Sequence, residues 1–74
     1  MQSMRPLDTN ELEALTLFAN GRTADEMAVA LGVSKSIAQH YLRVAARKLG
    51  ARNQVNAVAI AVRIGLVKSS SGGE

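Results

Sequence analysis

Gln39 and Arg43 stand four residues apart, one helical turn, so on a helix both point to the same side. Both side chains can read nucleic-acid bases. A guanidinium donates two parallel hydrogen bonds to guanine O6 and N7, and a carboxamide donates and accepts at adenine N6 and N7. Ser36 and His40 fall on the same side, which makes Ser36, Gln39, His40 and Arg43 the candidate base-reading set. Charge points the same way. After Glu26 the next carboxylate is Glu74, the last residue, while Lys35, Arg43, Arg47, Lys48, Arg52, Arg63 and Lys68 lie between. A stretch stripped of carboxylates suits a polyanion. Thr23 and Ser34 offer hydroxyl and N–H groups at two helix starts, and Lys35, Arg47, Lys48 and Arg52 supply charge. These six are the candidate backbone-phosphate contacts.

The elements that position these groups are legible from their punctuation. The first helix opens at Asp8, with Glu11 three residues on to complete a capping box and Leu7 placed to staple onto Leu12. Leu12, Leu15, Phe18 and Ala19 form an apolar stripe, and Gly21 ends the helix in a left-handed turn. A second capping box, Thr23 with Glu26, opens a helix that runs through Met27, Ala28 and Leu31 to Gly32. Only Val33 separates Gly32 from Ser34, the next N-cap, so the chain must turn sharply. The third helix spans about 35–49 and stops at Gly50, with Ala38, Tyr41, Leu42, Ala45 and Leu49 on its core face. The fourth starts after Asn53 and runs to about Ile64, with Gly65 as its stop. No segment shows strand alternation between turns. The expected fold is all-α, a four-helix bundle with a central helix-turn-helix. Residues 1–6 read as a linker or start segment, 7–67 as the domain, and 68–74 (KSSSGGE) as a flexible tail.

Composition removes several function classes. Seventy-four residues make one small domain, 47% hydrophobic, with a net charge of +3. The absence of cysteine excludes disulfides and thiolate metal sites. His40 is the sole histidine, so it lacks companions for a metal site or an acid–base pair, and no cofactor is expected. Asp25 and Glu26 read as helix-start charges favoured by the N-terminal dipole, not as a catalytic dyad. Nothing indicates an enzyme. No apolar run approaches the ~20 residues of a membrane span, and no secretory leader opens the chain. The expected location is the cytoplasm, with no membrane partner and no small-molecule ligand.

Val55, Ala57, Val58, Ala59, Ile60, Ala61, Val62 and Ile64 leave the fourth helix apolar nearly all round. Such a helix is not left bare on a monomer. With Ala57, Val58 and Ala61 facing the core, Ile60 and Ile64 are expected at the axis of a two-fold homodimer, with Arg63 beside them. Leu66, Val67 or an upstream domain covering them is the alternative.

The pattern formed by Leu7, Glu11, Glu13, Leu15, Ala19-Asn20-Gly21, Thr23, Glu26, Ala28, Leu31-Gly32-Val33-Ser34, Lys48-Leu49-Gly50, Asn53 and Ala57-Val58-Ala59 resembles the LuxR-type helix-turn-helix domain of bacterial transcription regulators. It extends over about residues 7–67 without gaps. The resemblance implies double-stranded DNA as partner, a roughly palindromic promoter site, and pairing of two subunits through the fourth helix. It also implies base reading by Gln39 and Arg43 and backbone contacts by Thr23 and Lys48. Such a domain usually sits C-terminal to a regulatory domain that senses an acyl-homoserine lactone or receives a phosphoryl group, and RNA polymerase is a further expected partner. The Leu42-Arg43 and Ala45 run leans towards the quorum-sensing branch. Three positions depart from the pattern: Asn10 replaces Arg, Ile37 replaces Thr, and Tyr41 replaces His. Ile37 removes a hydroxyl often aimed at phosphate. The reading from another class is a helical interaction module that binds an acidic protein through the same basic face, indifferent to DNA sequence.

Overall fold

The computed structural model of the chain describes residues 7–67. The linker expected at 1–6 and the tail expected at 68–74, Lys68 included, lie outside the described residues. Four helices follow in order: α1 (Thr9–Ala19), α2 (Ala24–Leu31), α3 (Lys35–Lys48) and α4 (Gln54–Arg63). No strand occurs among the described residues.

The caps hold the helices where the local chemistry demands. The Asp8 N–H donates to Glu11 Oε1 at 3.0 Å, while Leu7 is buried in the core and Leu12 is partly buried against the same cluster. At α2 the box is closed from both sides: the Glu26 N–H reaches Thr23 Oγ1 at 3.1 Å and the Thr23 N–H reaches Glu26 Oε1 at 2.9 Å. Gly32 then adopts φ +71°, which lets the Val33 N–H bond back to the Ala28 carbonyl at 3.0 Å. A side chain at Gly32 would meet open space, so the left-handed backbone alone is what calls for glycine. Two residues later Ser34 Oγ accepts from the Ile37 N–H and α3 begins. Leu49 is the C-cap of α3, not its last turn, so the helix ends one residue earlier than its sequence pattern suggests.

α3 is the hub. It packs against α1, α2 and α4, whereas α2 and α4 flank it without packing on each other. Leu15 and Met27 are the largest fully buried side chains, and Ala14, Ala38, Ala45, Ala57 and Ala61 are also fully covered. Alanines at these crossings let the helix backbones approach closely, which is how a core this small closes. Ala46 joins Ala38, Leu42 and Ala45 in the buried face of α3, while Tyr41 and Leu49 are half-buried at its margins.

Candidate nucleic-acid interface

With Ala38, Leu42 and Ala45 turned inward, the 3.6-residue period leaves Ser36, His40, Arg43 and Arg47 as one exposed stripe. Gln39 sits at its edge, half-buried, where α3 meets its neighbours. A groove of about 390 Å³ opens there, and Arg22, Thr23, Gln39, Arg43 and Gln54 line it. It runs into a second hollow of about 610 Å³, lined by Arg43, Arg47, Arg52, Asn53 and Gln54. Arg43 and Gln54 belong to both. The two hollows thus form one concave, cationic surface, with the α3 stripe on one wall and the starts of α2 and α4 on the other.

Two of these residues are not singled out by the sequence. Arg22 precedes the α2 cap and Gln54 follows the α4 cap, far from α3 along the chain. Their available signal is position beside a helix start. The local fold at α4 is well braced. The Asn56 N–H bonds to Asn53 Oδ1 at 2.7 Å, and the Arg52 N–H bonds to Asn56 Oδ1 at 3.0 Å. These two bonds, both made through Asn56, brace the backbone from which the Arg52 side chain projects.

Among the described residues, the cations held in ion pairs are Lys35 and Lys48. Arg43, Arg47 and Arg52 are exposed and have no carboxylate within ion-pair distance. Lys35 lies 3.9 Å from Asp25, with both side chains well exposed, a pair worth little and easily exchanged for another anion. Thr23 and Ser34 are at the starts of α2 and α3 as expected, but their hydroxyl oxygens already accept from Glu26 and Ile37. The Thr23 N–H is likewise taken, by Glu26. What each retains for a phosphate is its hydroxyl proton.

Lys48 is placed differently from the arginines. Five residues beyond Arg43, it lies roughly 140° round the helix from it. Its Nζ donates to Glu11 Oε1 at 2.9 Å and approaches Asp8 Oδ2 at 4.0 Å. Glu11 is the one buried charged residue among those described. Burial pushes its carboxyl up, but the Lys48 hydrogen bond, the Asp8 amide and the nearby positive charge outweigh this and hold it below the usual value. Lys48 is raised by the Glu11 hydrogen bond against a smaller opposing effect of burial. The ammonium therefore has a partner inside the protein, one that sequence spacing does not disclose.

On α4, Ile64 and Arg63 are exposed and Ile60 is half-buried. Apolar exposure extends further round the helix: Val55 is 72% and Val62 37% exposed, with Ala59 between them on the same side. Val67 is buried and Leu66 packs on the core.

The chain is similar to known proteins in both sequence and fold. The family model described as bacterial regulatory proteins, luxR family, matches residues 5–61. The response regulator RamR of Streptomyces coelicolor is 44% identical over 55 residues, 74% of this chain and 27% of that protein. The quorum sensing-dependent transcriptional regulator RpaR of Rhodopseudomonas palustris is 40% identical over 62 residues, covering 84% of this chain and 26% of its own. The transcriptional activator protein BjaR1 of Bradyrhizobium diazoefficiens is 39% identical over 57 residues, 77% of this chain and 24% of that one. The chain thus spans about a quarter of the length of these curated relatives. The solved structure of the transcription factor GerE superposes with a TM-score of 0.85 at 18% identity, over 90% of this chain and all of that one, a likeness of fold.

Proposed function

The chain belongs to the luxR family of bacterial regulatory proteins and is a DNA-binding domain of that family; from that premise we propose that α3 enters the major groove of a roughly palindromic promoter site. Gln39 and Arg43, with Ser36 and His40, select bases. Thr23, Ser34, Lys35, Arg47 and Arg52 hold the flanking phosphates, neutralising charge and releasing counterions. The observation that carries the reading is that Arg43 lines both hollows of one concave surface whose arginines lack internal partners. Lys48 joins them as a phosphate contact through the N–H donors it does not give to Glu11.

Two copies pair through α4, with Ile60, Ile64 and Arg63 at or beside the axis, which doubles the DNA footprint. The domain serves as the output of a larger cytoplasmic regulator under quorum-sensing control, in the manner of RpaR, and contacts RNA polymerase at the promoter. A phosphorylation-controlled regulator is the second reading, favoured by the 44% identity to the response regulator RamR. No described helix is long and apolar enough to cross a membrane.

Selection from a randomised duplex pool, followed by fluorescence anisotropy on the winners at two salt concentrations, tests the proposal. Enrichment of a palindrome bound well above the pool is expected. Weak, salt-sensitive, unselective binding would leave only a basic surface, and the acidic-protein reading would take its place.

A further inference from the structure

The face built by α1 and α2 carries a second candidate surface, apart from the α3 stripe. Val29 is 83% exposed, the most exposed large hydrophobic side chain among the described residues. It borders a hollow of about 520 Å³ that Leu17 and Ala30 share with a neighbouring hollow of about 410 Å³. Leu12 and Leu31 line the second hollow. The shared residues join the two into one trough along α1 and α2. From Asp25 to Leu31 the helix rise gives it a length of roughly 9 Å, enough for about two turns of an apposed helix.

Its rim is acidic. Glu13 stands on one side, Asp25 and Glu26 on the other, against the Arg22 guanidinium and the exposed Lys35 ammonium, 3.9 Å from Asp25, which leaves an excess of one carboxylate. The remaining described carboxylates, Asp8 and Glu11, are gathered round Lys48 elsewhere. No residue of α3 lines either hollow. The trough therefore has the opposite charge to the cationic surface, and an apolar floor that DNA has no use for.

We propose that this α1–α2 trough docks a basic amphipathic helix of a partner protein, its apolar side on Leu17, Val29 and Ala30 and its lysines or arginines against Glu13, Asp25 and Glu26. An amphipathic helix laid in an apolar groove is a recurrent recognition mode, and the carboxylate rim selects for positive charge. The trough meets the DNA-facing surface only at its edge, where Asp25 pairs with Lys35 and Arg22 lines both, so the partner can dock on Leu17, Val29 and Ala30 while DNA is bound. The site thus stands independently of which bases α3 reads.

The test uses the 74-residue chain and a peptide with leucine and lysine at amphipathic helical spacing, with its glutamate-for-lysine counterpart as control. Amide NMR shifts are expected at Leu17, Val29 and Ala30 with the lysine peptide alone, diminishing as salt rises. Val29→Lys should weaken the peptide about tenfold, the scale of one lost Val contact plus charge repulsion, while leaving affinity for the selected duplex unchanged. Because Val29 is exposed, its replacement should leave the fold intact. Equal binding of the acidic peptide, shifts centred on α3, or indifference to Val29→Lys would overturn the proposal. So would loss of duplex affinity in that variant, or concentration-dependent self-association that Val29→Lys abolishes, which would make the trough a contact between copies of this chain.

Discussion

Lys48 Nζ lies 2.9 Å from Glu11 Oε1, so the last residue of α3 is tied to the first turn of α1. Glu11 also accepts the Asp8 N–H, and one carboxylate oxygen therefore caps one helix and anchors another. The brace adds to the packing of Ala38, Leu42, Ala45 and Ala46, which turns the basic stripe of α3 outward.

Removing that carboxylate should cost stability in a pH-dependent way. Glu11 is held below its ordinary value in the folded state, so its contribution is fully present above the ordinary carboxyl range and is lost as pH falls through the folded value. Lys48, raised, keeps its share at neutral pH and loses it only as pH climbs through the folded lysine value. Glu11→Ala deletes the acceptor of the Asp8 N–H, about 1 kcal/mol by itself, which in a domain of this size lowers Tm by ~4–8 °C. The gap between thermal melts of the two proteins should narrow as pH falls from neutral towards 3, because the wild-type carboxylate begins to protonate. A constant gap across that range would show that the ion pair contributes nothing.

Arg43 is assigned to the bases, and its removal should be felt sequence by sequence. Arg43→Ala is expected to cost ~1–3 kcal/mol on the selected duplex and far less on a scrambled one. Anisotropy titrations on both duplexes decide it, because equal losses would make Arg43 a phosphate contact.

Arg52 should behave in the opposite manner. Its exposed side chain projects from a backbone braced by Asn56, beside the hollow that Arg47 also lines. Arg52→Ala should weaken both duplexes alike and reduce the slope of log K against log salt by about 1. Lys48→Ala serves as the contrast, with a fall in Tm expected because it breaks the tie to Glu11.

The α4 proposal predicts a split between whole and half sites. Ile64 is 55% exposed, so Ile64→Glu should leave the monomer folded. Affinity for a single half-site should stay constant while affinity for the palindrome falls by about tenfold, the scale of one large aliphatic side chain lost from an interface. Titrations against both duplexes measure this directly. A palindrome affinity untouched by Ile64→Glu would move the interface to the Val55, Ala59 and Val62 side or remove it from α4.

Sequence by itself determined where the helices begin and, to within a residue at α3 and α4, where they end. Thr23 with Glu26, Ser34, Asn53 and Gly32 act over three or four residues, and such short-range hydrogen bonds and φ preferences do not wait for the rest of the fold. It also determined which side of α3 is polar, because the 3.6-residue period separates Ala38, Leu42 and Ala45 from Ser36, His40, Arg43 and Arg47 whatever α3 packs against. Tertiary structure decided the pairings across the chain. Lys48 meets Glu11, Gln54 and Arg22 join Gln39 at one groove, and Leu17 and Ala30 line the same acidic-rimmed trough. These neighbours lie on different helices. Which of them touch is set by the crossing angles and close approach of the alanine-lined helices, and no single segment encodes that geometry.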